Sequence, residues 1–98
     1  MERRMTGRHN IPLRAIVSFT DATTREFKTL NISDDGAFLI SDHAKPKGTR
    51  VFMSLFVENR PGKLINNRTM VNLEGTVRRS TSNGMAVYFD HRHRFAGM

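Results

Sequence analysis

Two groups of residues in this chain have the types and spacing to do chemistry. Arg4 and Arg8 sit four residues apart with Gly7 between them, and no other two of the twelve arginines share that spacing. A guanidinium is a planar fork of donors that grips a phosphodiester through two parallel bonds, or addresses O6 and N7 of a guanine. Gly7 lets the backbone bend around whatever the two prongs hold. The second group is Asn31-Ile32-Ser33-Asp34-Asp35-Gly36. Asn31 brings an amide that can pair with a guanine edge, Ser33 a hydroxyl, and Gly36 a backbone open to close approach. Each group also has a plainer reading. Arginines near a terminus suit a solvated basic arm, and Ser-Asp-Asp-Gly is what a type I turn prefers, with Ser first and Gly last.

Charge points to an anionic partner. Lys plus Arg exceed Asp plus Glu by 16 to 9, a formal net charge of +7. The bias toward Arg is more than solubility needs, because Lys would serve that purpose as a hydrated point charge. The first fourteen residues carry Arg3, Arg4, Arg8 and Arg14 against Glu2 alone. Charge by itself suits a nucleotide, RNA, DNA or a membrane surface equally.

Other chemistries find little support. Without cysteine there are no disulfides or thiolate metal sites. In His91-Arg92-His93-Arg94, two histidines two apart with no nearby Cys or third His make a poor metal site, and the segment reads as a solvated basic tail. Asp34 and Asp35 read as turn residues. No nucleophile–base arrangement, P-loop or H-E-x-x-H is present, so no catalytic residues, metal or cofactor are expected. No apolar run approaches the length of a membrane span, and none follows the basic N-terminus as a secretory signal requires. The expectation is a cytoplasmic protein with no membrane insertion.

Strands must position the two groups. Ile11, Leu13, Ala15, Val17 and Phe19 alternate with more polar neighbours, as a half-buried strand does. Residues 20–25 are turn-like, and 26–32 alternate again with Leu30 and Ile32 on one face. A hairpin centred near residues 22 and 23 places Ser33 opposite Pro12 and Gly36 opposite His9, which brings the second group alongside the first. Further strands are expected at 37–41, 50–57, 69–79 and 85–89. Pro46-Lys47-Gly48, Asn59-Arg60-Pro61-Gly62 and Asn83-Gly84 supply turns between them. Phe19, Phe38, Phe52, Leu55 and Phe89 are expected in the core. Short strands, regular turns and no helical periodicity describe an all-β domain, a small six-stranded antiparallel β-barrel. Residues 1–10 form its flexible basic N-terminal arm, 11–90 the barrel and 91–98 a basic C-terminal tail.

Read together, the two groups are RxxxR followed by [D/N]xSxxG. This resembles the signature of the PilZ family, bacterial receptor domains for cyclic di-GMP. The resemblance extends through Ile11-Pro12-Leu13, Lys47-Gly48-Thr49-Arg50-Val51, Gly75-Thr76-Val77-Arg78 and Gly84-Met85-Ala86-Val87-Tyr88-Phe89. It implies a β-barrel whose arginine loop folds over cyclic di-GMP against the Asn31-x-Ser33-x-x-Gly36 segment. The implied ligand-binding residues are Arg3, Arg4, Arg8, Asn31, Ser33 and Gly36, with Arg3 suited to stack on a guanine or contact a second ligand molecule. Asn31 stands where Asp is commoner, and an amide lacks charge assistance toward guanine N–H groups. The implied role is a non-catalytic second-messenger receptor, whose ordered arm presents a new surface to a downstream effector protein. The alternative is a small basic barrel for RNA or single-stranded DNA. With seven Phe, one Tyr and no Trp, most of them needed inside, few aromatics are left for a stacking face.

Overall fold

The computed structural model of the protein describes residues 10, 12–59 and 67–93, the side chains of 58, 59 and 67–69 excepted. Arg3, Arg4 and Arg8 lie outside the described residues. Six strands follow in order: β1 (Arg14–Phe19), β2 (Thr24–Ile32), β3 (Gly36–Ile40), β4 (Arg50–Asn59), β5 (Asn67–Thr81) and β6 (Gly84–Phe89). They form a closed barrel in the order β1-β2-β3-β6-β5-β4, every neighbouring pair antiparallel. Closure pairs each of the six described strands on both sides and leaves none of them an open edge. It also divides each strand into an inner and an outer face. Ala15 and Val17 of β1, Leu39 of β3, Val51, Met53 and Leu55 of β4 and Val87 of β6 fill the interior. Phe19 and Phe27 meet there edge to face, their ring centroids 6.1 Å apart.

The β1–β2 hairpin is tighter than its sequence suggests. A centre at residues 22 and 23 would set Arg14 against Asn31, yet Arg14 faces Lys28 and Ser18 faces Thr24. The loop is the short segment Thr20-Asp21-Ala22, closed by bonds from Phe19 N–H to Thr23 C=O and from Ala22 N–H to Phe19 C=O. Ala22 takes a left-handed conformation, φ 72°. Such a residue after a type I turn suits the three-residue hairpin loop. The Asp21 carboxylate, bonded to Lys45 Nζ and to the Thr23 hydroxyl and N–H, holds the turn and lies well below the usual carboxylate pKa range. At the other end of the hairpin, Leu13 N–H donates to Thr29 Oγ1 while Thr29 N–H donates to Leu13 C=O.

Two bulges change which side chains face outward. In β2, Thr29 faces Leu39 and Asn31 faces Phe38, so Leu30 is an extra residue in the ladder. It is 49% exposed while Ile32 is buried, so these two do not share a face as the alternation suggested. In β5, Val77 faces Val87 and Arg79 faces Ala86, which makes Arg78 the extra residue. The expected core also needs two changes. Phe19 and Leu55 lie in the interior cluster and Phe89 packs against it, but Phe52 is 45% exposed, and Phe38, although 9% exposed, lies outside that cluster. In β4 the odd positions 51 to 57 point inward and Phe52 falls on the outer face. An apolar residue at nearly every position hides that phase in the sequence.

Ala22 is the described non-glycine residue with positive φ, and a Cβ there costs about 1 kcal/mol relative to glycine. Ala22→Gly is therefore expected to raise the unfolding free energy in a urea titration by roughly 0.5–1 kcal/mol. A loss of stability would mean that the turn does not rest on this conformation.

Candidate ligand-binding site

The Asn31–Gly36 segment lies where β2 turns into β3. Asn31 is half-buried and follows the Leu30 bulge directly; Ser33, Asp34 and Gly36 are buried. Ser33 N–H donates to Gly36 C=O at 2.8 Å, which pairs the first and last residues of the turn across Asp34-Asp35. The Ser33 hydroxyl accepts from Asp35 N–H at 3.3 Å and lies 3.5 Å from Gly36 O. Ser33 therefore builds the turn as well as offering a hydroxyl beside it.

Gly36 answers to a different constraint from the one its sequence context suggests. Its φ is not positive. A Cβ at this position would instead meet the Val87 carbonyl oxygen at a distance real Cβ atoms do not reach, with Tyr88 Cα at 3.3 Å. Gly36 faces Tyr88 across the β3–β6 pairing, so its missing side chain is what allows the two strands to approach.

The described part of the basic tail does not simply extend into solvent. Phe89 N–H donates to Asp35 C=O and His93 N–H to Asp34 C=O. Arg92 Nε sits 2.8 Å from Asp35 Oδ1, and its Nη2 lies 3.8 Å from Asp34 Oδ2. The Asp34 side chain is only 3% exposed, and a carboxylate that deep needs such compensation. Asp90 anchors the start of this strap. Arg50 grips it with two bonds, 2.7 and 2.6 Å, and also donates to Thr76 Oγ1. That grip lowers the Asp90 pKa and raises that of Arg50. Sequence reasoning missed the strap because nothing in the spacing of Arg50, Asp90 and Arg92 links them to the Asp34-Asp35 turn.

A family model described as the PilZ domain matches residues 2–94. The chain belongs to the PilZ family. Members of that family are known as non-catalytic domains that bind cyclic di-GMP. No curated protein matches the chain significantly. In this PilZ domain the [D/N]xSxxG residues Asn31, Ser33 and Gly36 stand together at one end of the β2–β3 hairpin, while the RxxxR residues lie outside the described range. Among the described residues, no helix is long and apolar enough to cross a membrane, and no group of three His, Cys, Asp or Glu could hold a metal ion.

Two outcomes follow from this geometry. Without ligand, Gly36→Ala is expected to cost about 2 kcal/mol or more in a urea titration, because β3 and β6 must move apart. Ser33→Ala should cost about 1 kcal/mol or less. An unchanged Gly36→Ala stability would contradict the close approach. The second outcome concerns acid. A depressed Asp90 pKa contributes stability above the ordinary carboxylate value of 3.8, and this is lost as pH falls through the lower folded value. Unfolding free energy should therefore decline below about pH 4, and less steeply in Asp90→Asn. Identical slopes would remove Asp90 as a contributor.

Proposed function

We propose that this PilZ domain is a cyclic di-GMP receptor in which Arg3, Arg4 and Arg8 close over a ligand seated against Asn31, Ser33 and Gly36. The observation that carries this reading is the reciprocal bonding of Leu13 with Thr29, 2.8 and 2.9 Å. It ties Leu13, at the start of the barrel, to β2 two residues before Asn31, and this supports a reading in which the preceding arginines reach the second motif. Asn31 supplies an amide to a guanine edge, and the arginines supply bidentate contacts to phosphate and to guanine O6 and N7. Several charge-assisted bonds from one dianionic ligand offset the entropy of ordering the arm. The ordered arm then forms a surface for a downstream effector protein, and the chain itself catalyses nothing.

The single-stranded nucleic acid alternative has weaker support. The large exposed aromatics among the described residues are Phe52 on β4 and Tyr88 on β6, with β5 between them. The groove at Phe52 is lined by Ile16, Ser18, Ser54, Asn72 and Glu74, which offer no cation to a phosphate backbone; Tyr88 does lie beside Lys47, Arg78 and Arg79, but a single ring is short of the stacking platform a strand needs.

Calorimetric titration tests the proposal. The protein should bind cyclic di-GMP in preference to GMP, ATP or cyclic di-AMP. Arg4→Ala and Arg8→Ala should each cost about 2–4 kcal/mol of binding with melting temperature unchanged. Asn31→Asp should bind as tightly or tighter, because a carboxylate adds charge assistance toward guanine N–H groups. Equal or tighter binding of an unstructured oligonucleotide, with a steep salt dependence, would favour the nucleic acid reading instead.

A further inference from the structure

The Leu30 and Arg78 bulges flank one cross-strand row on the outside of the barrel. Asn31 of β2 faces Phe38 of β3, Phe38 faces Ala86 of β6, and Ala86 faces Arg79 of β5. Phe38 and Ala86 alternate with the inward-facing Ala37, Leu39, Met85 and Val87, so they form the floor of an outer face rather than part of the interior cluster. At roughly 4.8 Å per strand, the row from Asn31 to Arg79 is about 14 Å long. One motif residue stands at its β2 end, and a pair of exposed arginines stands at its β5 end.

The arginine end is a groove of 310 Å³ lined by Lys47, Arg78, Arg79, Ala86 and Tyr88. The bulge puts both Arg78 and Arg79 on the exposed side, where an uninterrupted strand would turn one of them inward. Arg78 lies over the Tyr88 ring with Cζ 4.8 Å from the centroid. Tyr88 is the cross-strand partner of Gly36, so this groove directly adjoins the second motif. Lys47 is held at its rim by Gly48, which donates to Val77 C=O in a left-handed conformation, φ 94°. Arg14, Lys45, Arg50 and Arg92 each have a carboxylate partner. Lys47, Arg78 and Arg79 have none among the described residues.

We propose that the ligand-binding face continues across β3 and β6 to this groove, which takes the second guanine-and-phosphate half of the cyclic dinucleotide. The inference rests on the receptor reading above. Arg79 and Lys47 meet the far phosphate. Arg78, already seated on Tyr88, presents a flat cation to the far guanine and its N–H edge to the same phosphate. The motif and the groove together thus match a ligand with two identical halves, whereas either alone would match a mononucleotide.

The test is calorimetric titration of the full chain with cyclic di-GMP, comparing wild type, Arg78→Ala, Arg79→Ala and Arg25→Ala. Arg25 is also exposed and, among the described residues, without a carboxylate partner, but lies near the opposite end of β2 from Asn31. Arg78→Ala and Arg79→Ala are each expected to weaken binding about tenfold or more at unchanged melting temperature. Arg25→Ala should stay within about twofold, the scale of a distant screened charge. If wild type binds and all three variants bind alike, whether undiminished or equally weakened, the extended face is wrong and the receptor reading stands. If wild type does not bind cyclic di-GMP, the receptor reading itself fails.

Discussion

A closed barrel leaves each strand one inner and one outer face, and a single extra residue in the ladder exchanges the two. That constraint governs the outer face that carries Asn31 and Arg79. Leu30 interrupts β2 immediately before Asn31, so Thr29 and Ile32 both point inward and Asn31 lies on the outer row. Arg78 interrupts β5 in the same way, so two consecutive arginines reach the surface while Val77 stays in the core. Without these insertions different side chains would reach the outer face.

The seam between β3 and β6 carries the second constraint. Gly36 has no side chain because the Val87 carbonyl occupies the space a Cβ would need. Ser33 contributes its N–H and hydroxyl to the turn beside that seam. Two of the three motif residues therefore help build the turn and the seam themselves. The Asp34-Asp35 turn is in turn held by the strap from Phe89 to His93 and by Arg92.

Much of this was legible in the residues. Alternation and turn chemistry place six strands within a few residues of their observed bounds, because inner and outer faces differ strongly in β1 and turns are marked by Gly, Pro and Asn. The composite motif likewise identifies the family over nearly the whole chain. What was not legible depends on single residues. The β1–β2 register hinges on a left-handed Ala22, a conformation that alanine rarely adopts and that its identity does not announce. A bulge in a short strand looks like noise in the alternation, so the pattern alone assigns Leu30 to the wrong face. Phe52 sits in a run so uniformly apolar that no phase can be read from it. The Arg50–Asp90 and Arg92–Asp35 pairs join residues far apart in sequence, and single-sequence spacing carries no information about such contacts.

The central claim is that cyclic di-GMP lies on the outer face spanning β2, β3, β6 and the Arg78 bulge of β5. Backbone amide chemical shifts of isotopically labelled protein, followed during addition of cyclic di-GMP, test it most directly. The largest changes are expected at residues 31–37, at Tyr88 and at Arg78 and Arg79, with β1 and β4 outer positions such as Ile16 and Phe52 little altered. Changes concentrated around Ile16, Phe52 and Asn72, with residues 31–37 unmoved, would contradict the account.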